Sequence, residues 1–322
     1  MNIVFLDGHA LNPKELNWDS LKKLGHLTIF DHTPSSEVIE RSKEAEVIIL
    51  NKKRMSEEIF KQLPKLRLIL VAATGYDVVD TIAAHRYGVT VCNVPAYSTL
   101  AVAQHTLALM LEHTNRVGHY ARLNREGYWS KSSSFCIWDK AVVELSGKRV
   151  ALVGFGNIGQ KVAQLLQVLE AEVCAVTSKS QECLPAGITR ISLEEAFSTS
   201  DIISLHCPLT AQNRGFVNAD LLKLIRPGML LINTARGGLI DDIAVAAALS
   251  DGRLGGYACD VLSVEPPSND HPILLAPNTL VTPHIAWASA EARQRIIDVM
   301  SDNLEAFIKG APIHVVTPTG EH

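Results

Sequence analysis

Lys148-Arg149-Val150-Ala151-Leu152-Val153-Gly154-Phe155-Gly156-Asn157-Ile158-Gly159 is the stretch that decides the fold. An apolar run ends at Gly154, and residues 160–169 continue at helical period. The three glycines of this turn have separate uses between a strand and a helix. Gly154 permits the tight turn, Gly156 lets backbone approach a pyrophosphate, and Gly159 lets the helix lie close on the strand. The amides of Asn157 and Ile158 open the helix, where they face phosphate groups. A glycine-rich turn without a ligand is the competing reading. The strand before the turn and the helix after it weigh against that reading.

Outward from this turn, short apolar runs alternate with amphipathic stretches in both directions. Downstream, residues 172–177, 202–206, 229–233, 255–260 and 279–282 read as strands. Upstream, 3–6, 27–30, 47–50, 66–72 and 89–94 read as strands, with helical patterns at 36–43, 56–63 and 79–87. Such alternation predicts parallel strands joined by crossover helices. Residues 99–117 carry a helical period, with Gly118 expected as its cap. Residues 124–141 are polar and aromatic without a period and read as a long excursion. Residues 289–309 form a long amphipathic pattern stopped by Gly310.

The expected architecture is α/β: two Rossmann-like, doubly wound parallel-sheet domains with a cleft between them. Residues 1–98 plus 289–322 are expected to form a discontinuous, flavodoxin-like substrate domain. Residues 99–288 are expected to form the dinucleotide-binding Rossmann domain between them. Two linkers would then act as a hinge for closure.

Composition agrees with two soluble domains. The chain has 322 residues, and about 150 residues per domain is the usual guide. Thirty Lys and Arg against 34 Asp and Glu give a net charge of −4, no general reason to expect nucleic acid or a membrane surface as partner. No apolar run reaches the ~18 residues of a spanning helix. The opening Met1-Asn2-Ile3-Val4-Phe5-Leu6-Asp7 reads as a strand rather than a signal peptide. The six cysteines (Cys92, Cys136, Cys174, Cys183, Cys207 and Cys259) show neither CxxC nor zinc spacing. Reduced thiols in a cytoplasmic protein without a metal are expected.

Three segments place reactive side chains just beyond apolar strands: Asn233-Thr234-Ala235-Arg236-Gly237-Gly238, Asp260-Val261-Leu262-Ser263-Val264-Glu265 and Val281-Thr282-Pro283-His284-Ile285-Ala286-Trp287. The carboxyl ends of parallel strands are the ligand edge of an open α/β sheet. An Arg, a Glu and a His gathered there suit a 2-keto or 2-hydroxy acid. Arg236 would grip the carboxylate and carbonyl through its planar fork. His284 would exchange a proton with the carbonyl oxygen. Glu265 would hold the other imidazole nitrogen and fix the ring. Taken singly, Arg236 reads as a surface ion pair, Glu265 as a solvated turn residue and His284 as a core histidine. Their joint placement downstream of a dinucleotide loop favours the catalytic reading.

At these residues the sequence resembles the D-2-hydroxyacid dehydrogenase family over essentially its whole length, most closely the D-glycerate dehydrogenase / hydroxypyruvate reductase branch. The same resemblance extends to Val71-Ala72-Ala73-Thr74-Gly75-Tyr76-Asp77, Leu205-His206-Cys207-Pro208-Leu209-Thr210 and Thr282-Pro283-His284-Ile285-Ala286-Trp287-Ala288-Ser289. It implies Arg236, Glu265 and His284 as catalytic. It implies substrate binding by the amides of Ala73, Thr74 and Gly75, with Asn51 nearby, besides Arg236 and His284. It implies Asp260 on the nicotinamide carboxamide, Thr234 and Ala235 along the cofactor, and Cys207 and Pro208 at the adenosine end. It further implies a homodimer built on the cofactor domain, with 124–141 reaching toward the partner. Gln104 and Asn213 depart from the family's usual Glu and Thr. His85, His105, His113 and His119 match no family role and read as packing or surface residues.

The cofactor is expected to be NADP(H) or NAD(H). In NAD-preferring sites a carboxylate at the end of the second strand binds the ribose 2′-hydroxyl. Here Thr177-Ser178-Lys179-Ser180 stands at that place, and no acidic residue lies between Glu172 and Glu182. Two hydroxyls and an ammonium favour a 2′-phosphate. The expected reaction is reversible reduction of hydroxypyruvate to D-glycerate, and of glyoxylate to glycolate. Another D-2-hydroxy acid, such as phosphoglycerate, remains an alternative through Asn51-Lys52-Lys53-Arg54, while Tyr76 and Trp287 argue for a small substrate. A non-catalytic dinucleotide sensor on the same fold is the alternative from another class.

Overall fold

A computed structural model describes residues 1–317, the side chain of Pro13 excepted. The chain divides into two compact units, one formed by residues 1–98 with the stretch from Ala288 onward, the other by Thr99–Trp287.

The first unit is built on five parallel strands: β1 (Asn2–Phe5), β2 (His26–Ile29), β3 (Val47–Leu50), β4 (Leu68–Val71) and β5 (Thr90–Cys92). Their order is β2-β1-β3-β4-β5, the flavodoxin-like winding. All residues of β3 and β4 are apolar and buried, because helices cover both faces of a central parallel strand. The helix Ala290–Ile308 belongs to this unit. Ser289 starts it by accepting from the Ala292 amide, and Gly310 at φ 77° follows its end. Its apolar stripe of Ala292, Ile296, Ile297, Met300 and Leu304 is buried. Arg293 Nη1 donates to the Leu11 carbonyl at 2.9 Å and Asn303 Nδ2 to the Asn93 carbonyl at 3.0 Å. These bonds tie the helix to the segments that follow β1 and β5.

The second unit carries seven parallel strands: β6 (Arg149–Val153), β7 (Glu172–Val176), β8 (Thr189–Arg190), β9 (Ile202–Leu205), β10 (Met229–Asn233), β11 (Leu254–Cys259) and β12 (Thr279–Val281). Their order, β12-β11-β10-β9-β6-β7-β8, is the doubly wound Rossmann arrangement with one strand added at the edge. Two apolar layers sandwich the sheet. Leu231 joins Phe197, Leu249 and Tyr257 in one layer, while Leu230 and Ile232 join Leu109, Met110, Leu152 and Leu166 in the other. The alternation along β10 is the period of two of a strand buried on both faces.

Two features depart from the sequence reading. Gly118 does not cap the long helix. That helix is Thr99–Asn115, and Arg116 at φ 54° breaks it. A second helix, Val117–Arg125, starts at once, and the Gly118 amide donates to the Glu112 carboxylate at 3.0 and 3.1 Å. No residue of this second helix is fully buried; only His119, Tyr120 and Leu123 on one face are partly covered, too little to mark a separate helix in the sequence. The strand β8 was also invisible: its two residues are exposed. Among the described residues no helix is long and apolar enough to cross a membrane, and no group of three or more His, Cys, Asp or Glu side chains could hold a metal.

Two histidines carry a pH expectation. The His113 ring lies on β11 at Gly256, where a Cβ would come 1.9 Å from it. Burial, and then the neighbouring Arg116, pushes the His113 pKa down to about 4. Burial pushes His206 down to about 4 as well. Both rings are therefore neutral in the fold near neutral pH. The unfolded chain protonates them near pH 6.5, so below that pH it binds protons the fold does not, and stability falls until about pH 4. Each ring contributes at most about 3 kcal/mol to this loss. Calorimetric Tm should fall steeply from pH 6.5 to 4, and less steeply in His113→Asn. An unchanged slope in that variant would remove His113 from the account.

Candidate active site

The glycine turn at the end of β6 leaves an open cradle. Gly154 has φ 99°, its amide donates to the Val176 carbonyl at 2.9 Å, and a Cβ there would lie 2.5 Å from the Cys207 nitrogen. Only glycine meets both demands. A Cβ on Gly159 would lie 2.4 Å from the Gly154 carbonyl oxygen, so this glycine brings the helix onto the turn. A Cβ on Gly156, by contrast, would meet nothing within 4 Å. That open space lies at the start of the helix Asn157–Val168, whose first amides lack intrahelical acceptors. A pyrophosphate fits such a place.

The surrounding loops are tied down. Cys207 and Pro208 follow β9 against Gly154, and Asn213 fixes their turn by donating to the Pro208 carbonyl at 2.8 Å and accepting from the Thr210 amide at 2.7 Å. After β7, the Lys179 amide donates to Thr177 Oγ1 at 3.2 Å, and Lys179 Nζ sits 5.9 Å from the centre of the Phe155 ring. Ser178 is exposed between them. Glu172 stands at the opposite end of β7 and pairs with Arg149 Nε at 3.3 Å.

At the ends of β10, β11 and β12, buried polar side chains shape three adjacent loops. Asn233, fully buried, accepts from the Ala235 amide at 3.0 Å and donates to the Arg236 carbonyl at 3.0 Å. Asp260, 1% exposed, accepts from Thr282 Oγ1 at 2.6 Å, the Ile285 amide at 2.9 Å and the Ala286 amide at 2.7 Å. Its carboxylate therefore organises the loop that carries His284. The His284 amide donates to the Asp260 and Thr282 carbonyls at 2.9 and 3.0 Å, holding that residue at φ 55°. A non-glycine residue in this left-handed region needs such support. Trp287 Nε1 donates to the His284 carbonyl at 2.9 Å from the other side.

The three candidate catalytic residues come from these loops. His284 Nδ1 lies 2.6 Å from Glu265 Oε2, and Glu265 Oε1 accepts from the Leu262 amide at 2.9 Å. One carboxylate oxygen is thus held by its own loop and the other by the imidazole. With Nδ1–H donated to Glu265, Nε2 is left to exchange a proton. Gly237 seats the Arg236 loop on the Glu265 loop, since a Cβ there would lie 1.9 Å from the Leu262 carbonyl carbon. The Arg236 side chain is exposed, with Nη1 donating to the Ala235 carbonyl at 2.8 Å.

One residue of this network escaped the sequence reading. His105, which by sequence reads as a packing or surface residue, brings Nε2 within 2.9 Å of Thr282 Oγ1 and 3.6 Å of Asp260 Oδ1. Next to it, Thr106 Oγ1 meets Thr234 Oγ1 at 2.8 Å. The available signal was a polar Gln104-His105-Thr106 run between the apolar stretches 100–103 and 107–111 of that helix. The other histidines lie elsewhere: His113 on Gly256, His85 exposed, and His119 Nε2 at 2.8 Å from Asp139.

The expected substrate residues of the first unit lie at the carboxyl ends of its strands. Asn51 is buried after β3, donating its amide to Asp7 Oδ1 at 2.8 Å and Nδ2 to the Ala72 carbonyl at 3.3 Å. After β4, Thr74 Oγ1 donates to the Val94 carbonyl at 2.9 Å and Asn93 Nδ2 to the Thr74 carbonyl at 2.8 Å. The amides of Ala73, Thr74 and Gly75 donate to nothing among the described residues.

Comparison with known proteins decides the family. Residues 107–286 match the family described as D-isomer specific 2-hydroxyacid dehydrogenase, NAD binding domain. The chain belongs to this family. The dehydrogenase is 39% identical over 320 residues to the hydroxypyruvate reductase of Blautia hydrogenotrophica, covering 98% of this chain and 99% of the relative. It is also 39% identical to the glycerate dehydrogenase of Methylorubrum extorquens, with 98% of each chain covered. Among solved structures, the TT0316 protein of Thermus thermophilus superposes with a TM-score of 0.86 at 32% identity, covering 98% of the dehydrogenase and all of that chain. The dinucleotide turn and the Arg236, Glu265 and His284 loops all lie within the matched residues.

Proposed function

We propose that the dehydrogenase reduces hydroxypyruvate to D-glycerate, and glyoxylate to glycolate, reversibly. The observation that carries this reading is the 2.6 Å couple between His284 Nδ1 and Glu265 Oε2, set beside the Arg236 loop downstream of the dinucleotide turn. Relatives named for these two activities support the choice of substrate.

Gly154, Gly156 and Gly159, with the amides of Asn157 and Ile158, would hold the pyrophosphate. Cys207 and Pro208 would flank the adenosine, and Thr234, Ala235 and Asp260 the nicotinamide. The nicotinamide supplies the hydride when bound. Arg236 binds the substrate carboxylate and keto oxygen through paired donors. The amides of Ala73, Thr74 and Gly75, with Asn51 beside them, receive the carboxylate. His284 Nε2 gives its proton to the keto oxygen during reduction and takes it back during oxidation. Glu265 Oε2 accepts from Nδ1–H throughout, which fixes the tautomer and the ring plane.

NADPH is accepted and preferred in this reading. Thr177, Ser178 and Lys179 stand where a carboxylate would reject the 2′-phosphate, and Lys179 Nζ is held over Phe155 at the glycine turn. Thr177→Asp should shift kcat/KM toward NADH by restoring that carboxylate. The deciding experiment is steady-state oxidation of NADPH and NADH with hydroxypyruvate, glyoxylate and pyruvate side by side. Failure to turn over either hydroxypyruvate or glyoxylate would refute the substrate assignment, and a strong NADH preference the cofactor assignment.

The same reading makes the enzyme a cytoplasmic homodimer whose six thiols stay free. Exposure of Phe135 (90%) and Trp138 (70%) supports a partner-facing 124–141 segment. Light scattering on the purified enzyme would show a monomer if this is wrong.

A further inference from the structure

We infer that Arg190 is a second cation for the 2′-phosphate of NADPH, acting with Lys179; this rests on the NADPH reading above. Nothing in the sequence pointed to Arg190, which lies eleven positions beyond Lys179 in a two-residue edge strand. The sheet brings it back. Strand β8 pairs with β7 in parallel, placing Arg190 opposite Ala175 near the carboxyl end of β7. From there Arg190 Nε donates to the Thr177 carbonyl at 3.2 Å. The guanidinium is thereby fastened to the short loop after β7, the strand end at which a Rossmann sheet meets the ribose.

The fastening leaves donors to spare. Nε is used, while Nη1 and Nη2 make no hydrogen bond and no ion pair among the described residues. The backbone beneath is rigidly tied: the Arg190 amide donates to Gln181 Oε1 at 2.7 Å, and Gln181 Nε2 donates to the Ile188 carbonyl at 2.9 Å. Gln181 thus locks the 177–190 excursion into one shape. The carboxylate that feels Arg190 is Glu182, which is exposed and hydrogen-bonded to Ser180 and its own backbone rather than paired with the guanidinium.

Lys179 and Arg190 are complementary in chemistry. Lys179 offers a point charge, steadied by the Phe155 ring at 5.9 Å. Arg190 offers a planar fork with two free donors, the geometry that grips phosphate oxygens in pairs. A dianionic 2′-phosphate at this loop would meet both cations together with the Thr177 and Ser178 hydroxyls. A ribose 2′-hydroxyl gains little from either cation.

The test is binding of adenosine 2′,5′-bisphosphate against adenosine 5′-phosphate by calorimetry, in the wild type, Arg190→Gln, Arg190→Lys and Lys179→Gln. Arg190→Gln should reduce the preference for the bisphosphate about 10- to 100-fold, the range of a charge-assisted contact. Arg190→Lys should recover part of that loss, and the NADPH-to-NADH ratio of kcat/KM should follow the binding ratio. Unchanged ratios in Arg190→Gln, beside a fall in Lys179→Gln, would overturn the role of Arg190 and leave the NADPH reading standing. A wild type that binds both adenosine phosphates equally and prefers NADH would overturn the NADPH reading, and this inference with it. Equal loss of both ligands in Arg190→Gln would mark a merely structural residue and overturn the inference.

Discussion

Replacing His284 by alanine is expected to lower kcat for hydroxypyruvate reduction by about 10²–10⁴-fold, the usual worth of a positioned general acid. The cofactor dissociation constant should stay near the wild-type value, because His284 lies on the loop after β12 and the pyrophosphate cradle on the turn after β6. The backbone there is held by Asp260 and Thr282 through main-chain bonds at 2.9 and 3.0 Å, which alanine can also make. The loss should therefore read as chemistry rather than misfolding, with Tm changed little. Near-wild-type kcat in His284→Ala would end the proton-transfer assignment. Imidazole added back to the variant, whose imidazolium form can donate the missing proton, offers a second check on the same role.

The second large effect is expected at Gly237. A Cβ there would stand 1.9 Å from the Leu262 carbonyl carbon and 2.0 Å from its oxygen, both backbone atoms that no side-chain rotation can clear. Gly237→Ala must therefore push the Arg236 loop away from the Glu265 loop. Overpacking of this kind costs about 1–3 kcal/mol, visible as a lower Tm. Activity should suffer more than stability. A displacement of about 1 Å in a positioning group can cost ~10²-fold, so kcat/KM should fall by roughly that factor while the protein still folds. Because Arg236 is the group displaced, KM for the keto acid should rise along with the fall in kcat. An alanine variant with wild-type kcat/KM would show that the contact between the two loops does not set the position of Arg236.

The reading along the chain was strong wherever a local pattern carried the physics. The turn at Gly154, Gly156 and Gly159 was legible because each glycine answers a separate backbone demand within six residues. The strands β3, β4, β6, β9 and β10 were legible because burial on both faces favours near-continuous apolar runs, broken here only by Ser204 inside β9 and by Arg149 and Asn233 at strand ends. The helix at 290–308 was legible because its stripe, its Ser289 start and its Gly310 stop agree. Arg236, Glu265 and His284 stand out as candidates because each lies beyond the carboxyl end of a parallel strand, where such a sheet presents side chains.

What stayed hidden had too little buried surface to betray it. The helix Val117–Arg125 buries no residue fully, and β8 is two exposed residues long. Their place comes from contacts with chain farther along: the Tyr120 hydroxyl donating to the Lys140 carbonyl at 2.7 Å, and β7 beside β8. The bond from His105 to Thr282 spans 177 positions, and the one from Arg190 to Thr177 spans 13 across an irregular excursion. The sequence by itself determined the two parallel-sheet units, the dinucleotide turn and the Arg, Glu and His candidates, since local periodicity and backbone permissiveness are properties of neighbours in the chain. Only the tertiary structure decided which polar side chains hold those candidates in place, since strand order and the crossing of loops set such distances and neither is written in any one segment.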